Sequence, residues 1–186
     1  MLWGKIYMRK SDKKFRTKKE MICDSLFIIN APLKYATKYA TIDDICWAWT
    51  EYNGKYKGCE YWSESALKLL NELKKDNEKI DYQKYFRHEH IVPRKILIDK
   101  ILSLTNLNEE IYKNILNKFM IGTVVTVSED ENLNSLGYKQ KMPGEFFEIN
   151  SPEYENEWLR YKKANIVVKK GSWSDNKFIS ETTVCF

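Results

Sequence analysis

Histidine, cysteine and long apolar runs are all scarce in this sequence, and each scarcity argues against a class of protein. Two histidines and four cysteines occur in 186 residues, and no two cysteines form a CxxC pair. This spacing disfavours a cysteine-ligated zinc site and a disulfide framework, so we expect buried thiols. No apolar run approaches the roughly 20 residues of a membrane-spanning helix, and the first residues lack the apolar core of a secretory signal. We therefore predict a cytoplasmic protein that does not bind membranes.

Positive charge is concentrated near the start of the sequence. Residues 5–19 hold eight Lys or Arg side chains and a single acid, whereas the formal net charge of the whole chain is +5. Such a block attracts a polyanion by releasing counterions, although it is equally typical of a solvated arm in a lysine-rich protein. We predict a basic arm over 1–19 and a single domain over 20–186. The residues that we expect to bind nucleic acid are Lys10, Lys13, Lys14, Arg16, Lys18 and Lys19.

The spacing of apolar residues predicts an α+β fold, a helix-rich single domain with a small β-sheet. Helices are predicted at 21–31, 42–52, 64–75, 94–104, 109–119, 128–137 and 151–164. Hydroxyl and amide side chains accept hydrogen bonds from the free backbone N–H groups at the start of a helix. Proline suits the first turn because its missing N–H group is not needed there. The residues that we expect to cap or begin these helices are Thr41, Ser63, Pro93, Asn106 or Asn108, Ser128 and Ser151. Strands are predicted at 121–127, at 166–168 and in the tail after Gly171.

Both histidines of the chain lie in one charged segment, RHEHIVPR. If this segment is a strand, His88 and His90 share one face, and Arg87 and Glu89 share the other, because side chains alternate along a strand. If the segment is a loop, all four side chains converge. A polar network at the entry of a helix accounts for the same residues, since an acid such as Glu89 is favourable near a helix N-terminus.

The run Glu89-His90-Ile91-Val92-Pro93 resembles the first half of the signature of HNH nucleases. The resemblance implies a ββα-metal fold in which Glu89 holds a divalent ion, Mg²⁺ or Mn²⁺. It implies that His90 is the general base that activates water against a phosphodiester. A metal neutralises charge that builds on the phosphate, while an imidazole accepts a proton near neutral pH.

The same resemblance assigns supporting roles to other residues. It implies an asparagine that orients the histidine, here Asn106, and a further metal ligand on a helix, here Asn114 or Asn117, of which we favour Asn114. In this scheme His88 is a supporting acid or phosphate contact, and Arg87 stabilises charge on the phosphate.

Two further polar groups are candidates for the same site. Glu129 and Asp130 directly follow the predicted strand 121–127, and strand ends in α/β domains often carry site residues; helix capping explains them as well. Arg160 and Tyr161 lie in a predicted helix, where arginine is suited to clamp a phosphate and tyrosine to stack on a base. The alternative is an amphipathic helix with an aromatic core face.

Two functions are compatible with these features. The first is a small metal-dependent, HNH-like endonuclease. The second is a non-enzymatic binding or inhibitor protein that acts on nucleic acid or on a nucleic-acid-processing complex. Trp47 and Trp49 begin a stretch of aromatic residues interleaved with lysines, which suits unpaired bases and protein partners alike. The Lys-, Asn-, Ile- and Tyr-rich composition is typical of AT-rich phage or mobile-element genes, which suggests a role in defence or counter-defence.

Overall fold

In the described part of the chain, helices dominate and five strands form one mixed sheet. The computed structural model describes residues 16–76, 79–175 and 177–184. Its elements are α1 Lys18–Asn30, α2 Tyr35–Thr50, β1 Tyr61–Ser63, α3 Glu64–Asp76, α4 Tyr82–Tyr85, β2 Phe86–His90, α5 Arg94–Ser103, α6 Glu109–Phe119, β3 Gly122–Thr126, α7 Val127–Ser135, a 3-10 helix Gly144–Phe147, α8 Leu159–Lys163, β4 Val168–Ser174 and β5 Lys177–Thr183. The predicted α+β class is confirmed. Within the described ranges, no helix has the length and apolar character needed to cross a membrane.

The sheet has β2 at one edge and β5 at the other. Its strand order is β2-β3-β1-β4-β5, in which β1 and β3 are parallel and the other neighbours are antiparallel. Strand β2 pairs with β3 along its full length, so that His88 lies opposite Val124 and His90 lies opposite Gly122. This register sets the surroundings of both histidines.

Separate apolar clusters cover the two faces of the sheet. Neighbouring residues Val124 and Val125 of β3 point to opposite faces, and each is completely buried. Val124 belongs to a small cluster with Trp62 and Phe86, which helix α3 covers. Val125 belongs to the larger core, which contains most of the buried apolar residues of the helices. Because both faces are covered, a site on the sheet has to open at an edge or at a strand end.

Several predicted helix starts are confirmed. The hydroxyl of Ser63 accepts a hydrogen bond from the Ala66 N–H at 3.0 Å, and Asn108, rather than Asn106, accepts one from the Ile111 N–H at 2.9 Å. Pro93 immediately precedes α5. These caps are local, which explains why sequence alone identifies them.

Two predicted helix starts are wrong by several residues. Helix α2 begins at Tyr35, and Thr41 lies inside it, where its hydroxyl donates to the Thr37 carbonyl at 3.0 Å. The cap of α7 is Thr126, not Ser128. Thr126 and the third helical residue, Glu129, complete a capping box with each other, so the correct motif lies two residues before the predicted one.

The predicted helix over 151–164 is also wrong, because only Leu159–Lys163 is helical. Glu155 has a positive φ of 51°, which a helix does not accommodate. Its carboxylate contacts the ammonium groups of Lys100 on α5 and Lys118 on α6. These ion pairs join the non-helical segment to α5 and α6.

Candidate functional site

A pocket beside the edge strand β2 brings together four of the polar residues that the sequence singled out, His88, Glu89, His90 and Arg160. Its volume is about 290 Å³. We call it the β2 pocket, and its lining consists of Tyr39, Asp43, Trp47, His88, Glu89, His90, Pro93, Arg94, Lys95, Lys139, Gln140 and Arg160. Because β2 is an edge strand, residues from both of its faces reach the same pocket.

The segment around the two histidines is extended, as in the first of the two predicted alternatives. His88 and His90 are 8% and 7% exposed and lie on one face of β2, with ring centroids 5.7 Å apart and ring planes at 85°. Arg87 lies on the other face and does not line the pocket. Its Nη1 atom instead donates to the carbonyls of Gln83 and Phe86, at 2.6 and 2.9 Å.

Helix α2 and strand β3 enclose the two imidazoles. The Thr50 hydroxyl lies 3.1 Å from Nε2 of His90. The indole of Trp47 lies 6.2 Å from the His88 ring at 26° and 5.0 Å from the His90 ring at 90°. A Cβ atom at Gly122 would lie 2.4 Å from Nε2 of His88, so the ring fits only because this position is glycine.

Burial keeps both histidines uncharged at neutral pH. It lowers the pKa of His88 to about 4, and the positive charges of Lys55 and Arg94 act in the same direction. The pKa of His90 is well below its ordinary value, again chiefly because of burial and then because of His88 and Arg94. A base whose pKa is far below the working pH is weak. The imidazoles therefore suit hydrogen bonding better than proton abstraction in this conformation.

Arg160 is a structural part of the pocket wall. It is 1% exposed, and its Nη2 atom binds both the carboxylate of Glu89 and the carbonyl of His90. Its Nε atom donates to the Ile91 carbonyl at 2.8 Å, and its Nη1 atom donates to the Tyr138 carbonyl at 2.7 Å. Burial raises the pKa of Glu89, and the guanidinium opposes that shift. A carboxylate already held by arginine is a poor candidate for a metal ligand.

The cations of the pocket differ in how far they are already paired. Nε of Arg94 lies 3.3 Å from the Asp43 carboxylate, and its guanidinium carbon lies 4.4 Å from the centroid of the Trp47 ring. Lys95 pairs with Asp99 at 3.1 Å. Lys139 is exposed and pairs with no acid in the described ranges. Lys139 is thus the cation most available to a ligand.

The asparagines that the HNH resemblance nominates lie outside the pocket. Asn106 is exposed beyond the end of α5, and Asn114 is exposed on α6; neither lines the pocket. Across the described residues, no three His, Cys, Asp or Glu side chains are placed to hold a metal ion together. Since Glu89 also points to the opposite face from the histidines, the nominated residues do not fit a common divalent ion here.

Glu129, Arg160 and Tyr161, which the sequence also nominated, have structural roles. Glu129 caps α7 and accepts a hydrogen bond from the Ser63 hydroxyl at 2.6 Å, in agreement with its capping role. Tyr161 is completely buried, and its neighbour Arg160 is committed to the pocket wall. Neither of these two side chains is available at the surface for stacking on a base.

Part of the predicted basic arm belongs to the fold. Lys10, Lys13 and Lys14 lie outside the described residues, as does most of the arm. Arg16 pairs with Asp24 at 2.9 Å, Lys19 is exposed, and Nζ of Lys18 lies 4.7 Å from the centroid of the Trp49 ring. Lys18 and Lys19 begin α1, so the boundary predicted after residue 19 falls inside a helix.

Trp47 and Arg94 line the pocket, and Thr50 and Gly122 pack against its histidines, yet sequence reasoning gave none of the four a role there. Trp47 lines the β2 pocket, whereas Trp49 does not. Comparisons of the chain with sequence models of protein families, with curated proteins and with solved structures find no match.

Proposed function

We propose that this protein binds nucleic acid and that the β2 pocket contacts its phosphates. The observation that carries the proposal is the charge of the pocket: Arg94, Lys95, Lys139 and Arg160 line it, against the two carboxylates Asp43 and Glu89. An excess of cations in a concave site concentrates field lines and attracts polyanions. Cytoplasmic location is part of the same proposal, since it gives access to nucleic acid.

Binding is favoured over catalysis by the state of the residues that catalysis requires. Glu89 is held by Arg160, and the buried imidazoles of His88 and His90 are weak bases. The same groups, together with the indole of Trp47, form a polar and aromatic wall beside the cations. Such surfaces suit unpaired nucleotides, because planar groups stack and cations hold the backbone.

The test is the salt dependence of binding to short single-stranded DNA and RNA, measured by fluorescence anisotropy. Each lost phosphate contact reduces the slope of log K against log salt by about one, so we expect that effect in Lys139→Ala. Lys163→Ala is the matched control, because Lys163 is an exposed lysine on α8 outside the pocket. Equal slopes in the two variants would remove the pocket from the binding surface.

The contribution of the N-terminal arm is tested by a truncation that removes residues 1–15. This truncation keeps α1 and Lys18. If the arm adds phosphate contacts, the slope falls further and the effect adds to that of Lys139→Ala. If affinity is unchanged, the arm has no part in binding.

A second candidate is the Mg²⁺- or Mn²⁺-dependent endonuclease that the HNH resemblance implies. The observation that favours it is that His88, Glu89 and His90 all line one cationic pocket. It requires Glu89 to leave Arg160, to which it is bound here. Nicking of supercoiled plasmid that needs Mg²⁺ or Mn²⁺ and disappears in His90→Ala would establish it. Absence of cleavage of both DNA and RNA would leave binding as the activity.

The remaining alternative is a binding or inhibitor protein of a phage or mobile element that acts on a nucleic-acid-processing (defence) complex. Phe27 and Ile149 are 74% and 77% exposed, so both apolar side chains are available to contact a partner. Failure of the full-length protein to bind any nucleic acid at low salt would favour this alternative.

A further inference from the structure

The charges around the β2 pocket favour an anionic ligand. Four cationic side chains face two carboxylates, and the two histidines are uncharged at neutral pH. Among the lining residues the cations exceed the carboxylates by two, and Asp99, which pairs with Lys95, reduces this excess to one. A phosphomonoester carries roughly two negative charges at pH 7, whereas each phosphodiester inside a strand carries one.

Buried groups in the wall of this pocket have unused hydrogen-bonding capacity. Arg94 contacts Asp43 through Nε, but its Nη1 atom has no hydrogen-bond partner within the described structure. The same is true of both ring nitrogens of His88. Buried polar groups without partners are rare, and a bound ion or water is their usual explanation. Nη1 of Arg94 is a charged donor and suits an anion, whereas an uncharged imidazole offers only one N–H donor.

Arg94 is held in place for such a ligand. Asp43 fixes one edge of its guanidinium, and the ring of Trp47 lies against its plane. A guanidinium presents paired donors that match the oxygens of a phosphate group. Lys139, exposed and not paired with an acid in the described ranges, adds a mobile charge.

The volume of the β2 pocket limits the size of the ligand that it can bind. Its volume of about 290 Å³ is near the lower end of small-molecule sites. One phosphate with its attached sugar is of this scale, whereas a duplex is far too wide.

We infer that the β2 pocket binds a phosphomonoester group, with Arg94 as its principal donor and Lys139 as its second cation. The group is either the phosphorylated end of a nucleic-acid strand or a free mononucleotide. The strand-end form rests on the proposed function, whereas the mononucleotide form does not.

The experiment compares three ligands by the same anisotropy and calorimetric assays. These are an oligonucleotide with a 5′-phosphate, the same oligonucleotide with a 5′-hydroxyl, and a nucleoside monophosphate. A charge-assisted contact is strong enough to change affinity by about tenfold, so we expect the 5′-phosphate to strengthen binding by about that factor and the monophosphate to compete. Equal affinity of the two oligonucleotides, without competition, overturns the inference and leaves general nucleic-acid binding intact. Binding of the monophosphate alone supports the inference and contradicts the proposed function.

Variants test whether the preference for a 5′-phosphate arises in the β2 pocket. Arg94→Lys keeps the charge but loses the paired donors, and we expect it to lose most of the 5′-phosphate preference while keeping affinity for the 5′-hydroxyl strand. Lys139→Ala should reduce the preference in part. Lys163→Ala is the control and should keep it in full. Thermal unfolding of each variant verifies that the fold persists, and a full preference in a folded Arg94→Lys protein would overturn the role of Arg94.

Discussion

Arg160 and Glu89 form an ion pair between a buried guanidinium and a carboxylate 71 positions earlier in the chain. The pair joins the short helix α8 to the edge strand β2. The same guanidinium also holds the carbonyls of His90, Ile91 and Tyr138. A residue that sequence nominated as a nucleic-acid contact therefore organises the wall of the β2 pocket.

Replacing Arg160 by alanine is expected to lower the free energy of unfolding by about 3–5 kcal/mol, the usual cost of removing one partner of a buried ion pair. The carboxylate of Glu89 and three carbonyls would lose their donor. Urea denaturation measures the effect. In the control Lys162→Ala, a pair with Glu153 at the surface is lost, and the cost should stay under about 1 kcal/mol. Similar losses in both variants would show that the Arg160 contacts add little.

Alanine at Gly122 is expected to lower the free energy of unfolding by about 1–3 kcal/mol, as overpacking usually does. The new Cβ would lie 2.4 Å from Nε2 and 2.7 Å from Cε1 of His88. The strand backbone opposite β2 cannot move far, so the imidazole has to shift. Circular dichroism during thermal or urea unfolding measures the change.

Gly144→Ala is the matched control for Gly122→Ala. A Cβ at Gly144 would have its nearest neighbour, Oε1 of Glu148, at 3.9 Å, so we expect a change within about 0.5 kcal/mol. Combining Gly122→Ala with His88→Ala removes the clash, and the two costs should then be less than additive. Strict additivity would contradict the proposed contact.

Sequence patterns correctly predicted features that depend on residues close together in the sequence. Of the two alternatives left open for RHEH, the strand put both histidines on one face, and the caps Ser63 and Asn108 were visible because each bonds a backbone group three residues later. The buried strand 121–127 was recognised from its β-branched residues. The interactions that produce these features are between residues that are neighbours in the sequence.

The remaining features depend on contacts between distant segments. Arg160 was assigned to the surface because nothing near it in sequence reveals that its partner is Glu89. The helix predicted over 151–164 is wrong in a segment where Glu155 contacts Lys100 and Lys118, which are distant in sequence. Gly122 became part of the site only through the register of β2 with β3.

The stability of the protein is expected to fall as the pH is lowered from about 6.5 to about 4. In the unfolded chain His88 has an ordinary pKa of about 6.5, whereas burial lowers its folded pKa to about 4. Above pH 6.5 neither state is protonated at His88, so its contribution is complete. Between the two pKa values only the unfolded state takes up the proton, and up to about 3 kcal/mol is lost.

Urea denaturation over this pH range measures the loss, and His88→Gln isolates the contribution of His88. The variant should show a shallower decline in the free energy of unfolding, particularly between pH 6.5 and 5.5, where few carboxylates titrate. His90 acts in the same direction, so a residual slope should remain. An unchanged slope in His88→Gln would mean that this imidazole is not buried in the folded protein.

Among Cys23, Cys46 and Cys59, only Cys23 is expected to react with iodoacetamide in the native protein. Cys23 is exposed on α1, whereas the other two are buried, and burial raises the pKa of Cys46 and of Cys59 to about 12. Because the thiolate is the reactive species, these two thiols are protected by both access and ionisation. Peptide mass spectrometry reads each site separately.

The reactivity of Cys59 also reports on the packing of Gly122 against His88. Its thiol donates to the carbonyls of Tyr61 and Gly122, at 3.4 Å each, and so joins the segment before β1 to the strand position that accommodates His88. We expect Cys59 to react only after urea unfolds the protein, together with Cys46. If Cys59 instead reacts in native buffer while Cys46 stays protected, the contact at Gly122 opens locally, and the packing of the imidazole pair against β3 is not maintained in solution.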